Sequence, residues 1–418
     1  MYFGVGVIPN RQLKSATQPK PLVGGLGEIP KPTVKVRMRE IQHRFGHASF
    51  AHLAQSLAIP KNATSSFSFG RGSKQKVLAT KGVSSIHQEW IHHAITISKQ
   101  GLSHTYPNPI VGAVLVDQDN KLISQGVHLG AEHAEVIAIN NALANYKGDL
   151  SKATLYLSLE PCNHIGKNPA CSQVIIKSGI KKVYFALNDP NPIAQGGAAA
   201  LNDAGIEVEG GLLTEYAADT NRDWLTKIKL NRPRIILKIA ATLDGKIAAA
   251  DQSSKWITSE QSRDDVAKLR SQVDAIITST GTVLADDPEL TSKGIGKDPA
   301  IFVVGKRAIS PTSKLIKRGA DLTLIKDYGV DQLISELNKR GFNRVMVEAG
   351  PALISALLKA DVVDEVILYQ APTLLGDGVS FVSPLGINTI NDRIDFEIQE
   401  VEKIGNDIKT TLYAKVVK

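Results

Sequence analysis

From Ile86 onward, short β-branched runs alternate with segments whose apolar residues recur at helical spacing. No other feature of the 418 residues restricts the fold as tightly. Trp90, Ile91, Ala94, Ile95 and Ile97 mark one face of a helix ending near Gly101. Pro107-Asn108-Pro109 then forces a turn. Residues 111–116 read as a buried strand, with 121–127 as its hairpin partner. The alternation continues with a helix from about His133, a strand at 153–159, a helix at 171–178 and a strand at 182–187. A short helix at 198–204 and a strand at 206–209 complete an expected three-layer α/β domain. A polar connecting stretch ends at Asn231-Arg232-Pro233, and a second α/β series follows. Its expected strands are 234–241, 275–279, 300–304, 344–348 and 365–370. Its expected helices are 259–271, 331–340 and 352–359. The reading is thus two domains, 86–230 and 231–418, with no internal repeat between them.

Charge sets the first fifth apart. Residues 1–85 hold 13 lysines and arginines against two acids, Glu28 and Glu40, whereas the other 333 residues hold 36 basic against 39 acidic side chains. The overall +8 therefore belongs to the start of the chain, and the remainder is −3. With no sustained period, residues 1–85 read as a disordered basic leader or extension. An acid-poor start resembles an organellar transit peptide, which would place the protein in a plastid; otherwise it is expected in the cytoplasm. Val83 also stands where an alternative start codon could lie. His43, His47 and His52 lack cysteine or acidic partners and read as ordinary exposed histidines. No apolar run is long enough to span a bilayer. Two cysteines cannot staple a chain of this length.

Those two cysteines carry the chemistry. His133-Ala134-Glu135 is followed by Pro161-Cys162 and then Cys171. One imidazole and two thiolates make a three-ligand zinc set with a fourth position open for water. Zinc lowers the pKa of such a water to about 7, which provides the nucleophile for hydrolytic deamination. Glu135, two residues past the histidine, suits a proton shuttle from that water to the leaving amine. The pattern is the zinc deaminase signature, except that the second cysteine follows the first by nine positions. Taken separately, a His-x-Glu on a solvated helix face or two core cysteines would need no metal; together they point to one.

The long loop between the cysteines, Glu160-Pro161-Cys162-Asn163-His164-Ile165-Gly166 with Pro169 and Cys171, resembles one family, the bifunctional riboflavin-biosynthesis deaminase/reductases. The resemblance extends through Thr105-Tyr106-Pro107-Asn108-Pro109, Asn188-Asp189-Pro190-Asn191-Pro192 and Ala241-Thr242-Leu243-Asp244-Gly245-Lys246. It continues in Ser254-Lys255-Trp256-Ile257-Thr258, Thr282-Val283-Leu284-Ala285-Asp286-Asp287-Pro288 and Val347-Glu348-Ala349-Gly350-Pro351. It implies a cytidine-deaminase-like three-layer domain followed by a dihydrofolate-reductase-like α/β domain. The first would deaminate a phosphoribosylamino-pyrimidine, and the second would reduce the ribose to ribitol with NADPH. Carried over by motif, His133, Cys162 and Cys171 hold Zn2+ and Glu135 is the proton donor. Ala240, Trp256, Thr282, Asp286 and Gly350 fall at NADPH positions. Asn108, Ser254, Arg270, Leu290, Lys293 and Glu348 fall at substrate positions.

From spacing alone the second half says less. No Gly-x-Gly-x-x-Gly fingerprint follows a strand, which argues against a Rossmann cofactor frame. Leu243-Asp244-Gly245 reads as a hairpin turn, Asp286-Asp287-Pro288 as turn chemistry and Trp256 as core. Gly350-Pro351 reads as a strand-to-helix turn whose backbone N–H groups could also face a phosphate. Four features depart from the family's usual pattern, one being that the segment His128-Leu129-Gly130-Ala131-Glu132-His133 is about two residues shorter. Lys167 stands for an arginine, Lys293 for another, and Gly196-Gly197-Ala198 lacks a basic residue. The expected partner is a small phosphorylated pyrimidine, with a homo-oligomer formed and neither nucleic acid nor membrane bound. The alternative is a zinc deaminase acting on an RNA base with a degenerate second domain. A non-catalytic zinc staple is disfavoured, because structural sites normally close with four ligands.

Overall fold

The computed structural model describes residues 85–415 except positions 165, 167, 168, 327 and 328. The basic leader, Val83 and the three early histidines lie outside the described residues.

The first sheet is built from β1 (Gly112–Val116), β2 (Leu122–Val127), β3 (Thr154–Leu159), β4 (Lys182–Leu187) and β5 (Glu207–Gly210), in spatial order β2-β1-β3-β4-β5. β1 runs antiparallel to both β2 and β3, while β3, β4 and β5 are parallel. Alternate residues of the strands feed opposite faces, as a pleat requires. Ala113, Leu115, Leu155 and Leu157 pack beneath α2 (Ala134–Asn145), α3 (Cys171–Ser178) and α4 (Gly197–Asp203). Val114, Val116 and Tyr156 pack instead against α1 (Ser85–Ser98). The expected three layers are present, and both sheet faces are covered.

The polar connecting stretch is not a linker. It folds into two helices, α5 (Thr214–Thr220) and α6 (Arg222–Leu230). They read as polar because their buried positions are few and one is charged: α5 buries Ala217, and α6 buries Asp223 and Trp224. Asp223 faces Arg234 and Arg344 at 3.5 Å each, and Arg234 also meets Glu365 at 2.9 Å. The Arg222 guanidinium lies 4.1 Å from the Tyr413 ring centroid. Buried charge in this seam is matched by opposite charge, the condition under which such groups are tolerated. Residues on both sides of it belong to one compact unit.

The second sheet has eight strands in the order β10-β9-β8-β11-β6-β12-β15-β14. They are β6 (Arg234–Thr242), β8 (Ala275–Ser279), β9 (Ala300–Val304), β10 (Leu322–Ile325), β11 (Arg344–Val347), β12 (Glu365–Ala371), β14 (Phe396–Ile404) and β15 (Asp407–Ala414). The first six in spatial order are parallel, and the β14–β15 hairpin closes one edge antiparallel. One face packs on α10 (Val330–Lys339) and α11 (Pro351–Lys359). The other packs on α7 (Glu260–Arg270), α8 (Thr280–Asp286) and α9 (Lys314–Lys317).

Two expectations change here. Thr242–Gly245 is a turn, closed by the Gly245 N–H on the Thr242 carbonyl at 3.0 Å, but it makes no hairpin. The strand after it, β7 (Lys246–Ala248), pairs with β13 (Val379–Ser380). Trp256 is not core: its residue surface is 70% exposed.

Candidate active sites

Three sequence-distant side chains meet above the α2/α3 face. His133 stands at the N-cap of α2 with extended backbone, Cys171 opens α3, and Cys162 lies in the loop after β3. His133 Nδ1 is 3.1 Å from Cys171 Sγ and 3.6 Å from Cys162 Sγ. The three donor atoms all lie within 4.8 Å of one another. Bonds of about 2.0 Å to nitrogen and 2.3 Å to sulfur around a tetrahedral zinc require donor separations of this size. The donor set therefore fits zinc in identity, number and spacing.

The two thiols of the cluster shift in opposite directions. A hydrogen bond from Cys171 and the nearby His133 hold the Cys162 thiol down at about 4. Cys171 moves the opposite way, because the Cys162 sulfur beside it and burial both disfavour a second negative charge. Cys162 in turn raises His133. Glu135 lies buried in the first turn of α2, and burial pushes its carboxyl up to about 7. A carboxyl near neutrality can both accept and release a proton at working pH.

The supporting residues have no motif-level mark. The Glu160 carboxylate accepts backbone N–H groups from Asp189 at 3.1 Å, Gly196 at 3.3 Å and Ala198 at 3.1 Å. It thereby ties the segment before Cys162 to the loop after β4. Asn163 accepts the Ser172 hydroxyl at 2.7 Å, and its own N–H reaches the Ala194 carbonyl at 2.9 Å. His128 is buried beside His133, with ring centroids 5.3 Å apart, and its Nδ1 meets the Glu132 carbonyl at 2.7 Å. Asn108 is exposed in the loop that leads into β1.

In the second half, β8, β11 and β6 are adjacent and parallel, so their carboxyl ends open at one edge of the sheet. Ligands of open α/β sheets bind at that edge. Ala240 lies on β6, Thr282 in the first turn of α8, Glu348 directly after β11 and Gly350 at the N-cap of α11. Glu348 takes both nitrogens of the Arg270 fork, Nε at 2.7 Å and Nη2 at 3.0 Å. Lys238 Nζ stands 3.5 Å from the same carboxylate. Burial would raise Glu348, but the two cations outweigh it and hold the carboxyl at about 2. Lys238 is a residue that the sequence reading does not single out; a charge flanked on both sides by Ile and Leu within β6 is the signal that could find it.

The other positions separate into groups. The Ser254 hydroxyl donates to Asp286 at 3.0 Å. Thr282 donates its N–H to the Ser279 hydroxyl at 3.1 Å. The Trp256 ring has the Arg263 guanidinium 4.5 Å from its centroid. Gly350 caps α11, whose first residue, Pro351, brings no N–H to that end. Leu290 is buried next to Thr291, whose carbonyl accepts from Arg270 at 3.3 Å. Lys293 is exposed and paired with Asp264 at 2.8 Å.

Two family profiles match the chain, one on each half. Residues 84–187 match the cytidine and deoxycytidylate deaminase zinc-binding region, and residues 233–410 match the RibD C-terminal domain. The riboflavin biosynthesis protein RibD of Mycobacterium tuberculosis is 38% identical over 330 residues, covering 77% of this chain and 96% of that protein. This chain belongs to the RibD family. RibD of Escherichia coli is 34% identical over 360 residues, covering 76% of this chain and 97% of that protein. Among solved structures, the diaminohydroxyphosphoribosylaminopyrimidine deaminase/5-amino-6-(5-phosphoribosylamino)uracil reductase of Thermotoga maritima superposes with a TM-score of 0.74. It is 30% identical and covers 79% of this chain and 99% of its own. Acinetobacter baumannii RibD gives 0.72 at 33% identity, covering 79% and 99%. The chain is a riboflavin-biosynthesis enzyme that pairs a zinc deaminase with an NADPH reductase.

Proposed function

We propose that residues 86–230 deaminate 2,5-diamino-6-(5-phosphoribosylamino)pyrimidin-4-one. Residues 231–418 then reduce the ribosyl side chain of the product, 5-amino-6-(5-phosphoribosylamino)uracil, to ribityl. The observation that carries this reading is the meeting of His133, Cys162 and Cys171 beside the buried Glu135. His133, Cys162 and Cys171 would hold zinc, which activates a bound water when present. Glu135 takes a proton from the attacking water at its carboxylate and delivers it to the departing amine. The alternative RNA-base substrate draws no support from the charge of the folded part, which is net acidic.

In the reductase half the hydride comes from bound NADPH. Ala240, Trp256, Thr282, Asp286 and Gly350 frame that cofactor along the carboxyl edge of β6, β11 and β8. Ser254, Arg270, Leu290 and Glu348 hold the ribosyl substrate there, and Lys293 meets its phosphate after leaving Asp264. Asn108 contacts the pyrimidine in the deaminase half. The protein works in the cytoplasm as a homo-oligomer. Ile398, Val401 and Ile408 give the edge hairpin an exposed apolar surface that a second copy would cover. Among the described residues, no helix is long and apolar enough to cross a membrane.

The test is incubation of the purified protein with the diaminopyrimidinone ribosyl phosphate and NADPH, following ammonia release and NADPH oxidation separately. Both should occur, ammonia first. Absence of both would overturn the assignment.

A further inference from the structure

We infer that the reductase half completes the deaminase half: Asn343, at the entry to β11, positions the loop of residues 105–110 that borders the zinc-ligand segment. The inference rests on the reading of Asn108 as a substrate-binding residue.

The loop is gripped at three points. The Asn108 backbone carbonyl accepts from Asn343 Nδ2 at 3.0 Å and from the Thr105 hydroxyl at 3.2 Å. The Tyr106 ring meets Phe342 edge-on with centroids 5.2 Å apart. At the far end, the Asn221 side chain accepts the Ile110 N–H at 3.0 Å and donates to the Ile110 carbonyl at 2.9 Å. Two of these anchors, Asn343 and Phe342, lie in the reductase half. Asn221 joins α5 to α6.

Asn343 is aimed rather than free to turn. It is buried; its N–H donates to Asp274 Oδ2 at 2.7 Å, and its carbonyl accepts the Arg234 N–H at 2.8 Å. With the backbone fixed on both sides and the residue buried, its Nδ2 is held within reach of the Asn108 carbonyl. On its other side the loop is flanked by residues that meet His128, five positions before His133. The Val111 carbonyl, just past it, accepts the His128 N–H at 3.0 Å. A Cβ added at Gly101 would stand 2.7 Å from the His128 carbonyl and 3.1 and 3.2 Å from side-chain carbons of Thr105 and Ile110, so Gly101 is wedged between the loop and the His128 segment. The His128 ring in turn lies against His133. A continuous packed path therefore runs from a reductase side chain to the deaminase centre. Asn343 touches neither the zinc ligands nor Glu135, so its role is positioning.

Asn343→Asp tests this in the full-length protein, because it keeps the shape while turning an acceptor toward the Asn108 carbonyl. Asn343→Leu removes the donor outright. Losing one neutral hydrogen bond should raise the deaminase KM about fivefold in Asn343→Leu, and more in Asn343→Asp, with kcat changed less. NADPH oxidation with the deaminated substrate should stay at the wild-type rate, which a general loss of folding would not allow. Deaminase KM at the wild-type value in both variants, beside an active wild type, would overturn the positioning role alone. A wild type that released no ammonia would overturn the proposed function and this inference with it. Should both Asn343 variants lose the reductase as well, Tyr106→Leu decides from the loop side. A raised deaminase KM with intact reduction supports the inference, and an unchanged KM overturns it.

Discussion

Arg270 and Glu348 face each other fork to fork, Nε on Oε1 at 2.7 Å and Nη2 on Oε2 at 3.0 Å, with Glu348 buried at the carboxyl edge of the reductase sheet. Lys238 adds a second cation to the same carboxylate. Glu348→Gln keeps the shape but leaves two half-buried cations without their counter-charge, which should cost about 3 kcal/mol in denaturant unfolding. The pH dependence follows from the depressed carboxyl. Its stabilisation is complete above the ordinary value of 4.5 and fades as pH falls toward about 2. The wild type should lose this increment across that window, and Glu348→Gln should show a flatter profile there. Identical acid-unfolding curves for the two proteins would refute the assignment.

Much of this arrangement was readable in the chain, for specific reasons. His133, Glu135, Cys162 and Cys171 stood out because few side chains can ligate zinc, and both cysteines of the protein were involved. The first sheet was legible because Ala113/Leu115 and Val114/Val116 serve opposite faces, leaving an unbroken apolar run. α6 was missed because its buried Asp223 is satisfied by Arg234 and Arg344, which are distant in sequence. β14 was missed because its register shifts between Ile398 and Glu400 and breaks the period-two pattern. The Glu160 carboxylate serves backbone N–H groups, and that use leaves no trace in residue identity. Arg270 and Glu348 were placed by family resemblance; spacing alone would not have paired residues 78 positions apart.

Glu135→Gln should separate metal binding from proton transfer. The amide is close in size, and Glu135 is not among the three donor side chains, so zinc content should remain near one per chain. Ammonia release should fall by at least about 10²-fold, the scale on which general acid–base groups act. NADPH oxidation on the already deaminated substrate should be unaffected. Undiminished deamination would remove Glu135 from its role.

Metal removal should divide the two activities as well. Stripping zinc with a chelator, confirmed by elemental analysis, should abolish ammonia release and leave the reductase working, because its residues share no donor with the His133 cluster. Adding zinc back should restore deamination. Cys171→Ser should reproduce the stripped state without a chelator. Deamination by a verified metal-free protein would be incompatible with the proposed mechanism.

Gly197 offers a test of how the loop bearing Cys162 is held. A Cβ built on it would lie 1.7 Å from the Pro161 carbonyl oxygen, a backbone atom that cannot swing away. Pro161 precedes Cys162, and the N–H of Ala198, the next residue, binds Glu160. Gly197→Ala must therefore displace either the start of α4 or the Pro161-Cys162 segment, and either shift loosens the Cys162 ligand. Zinc affinity should drop about tenfold or more, as when groups supporting a metal ligand are removed. Deamination at limiting zinc should fall with it and recover at saturating zinc, while reduction stays unchanged. Competition with a chromophoric chelator reads the affinity directly; a value equal to wild type would mean that the close approach of Gly197 to Pro161 does not control the metal site.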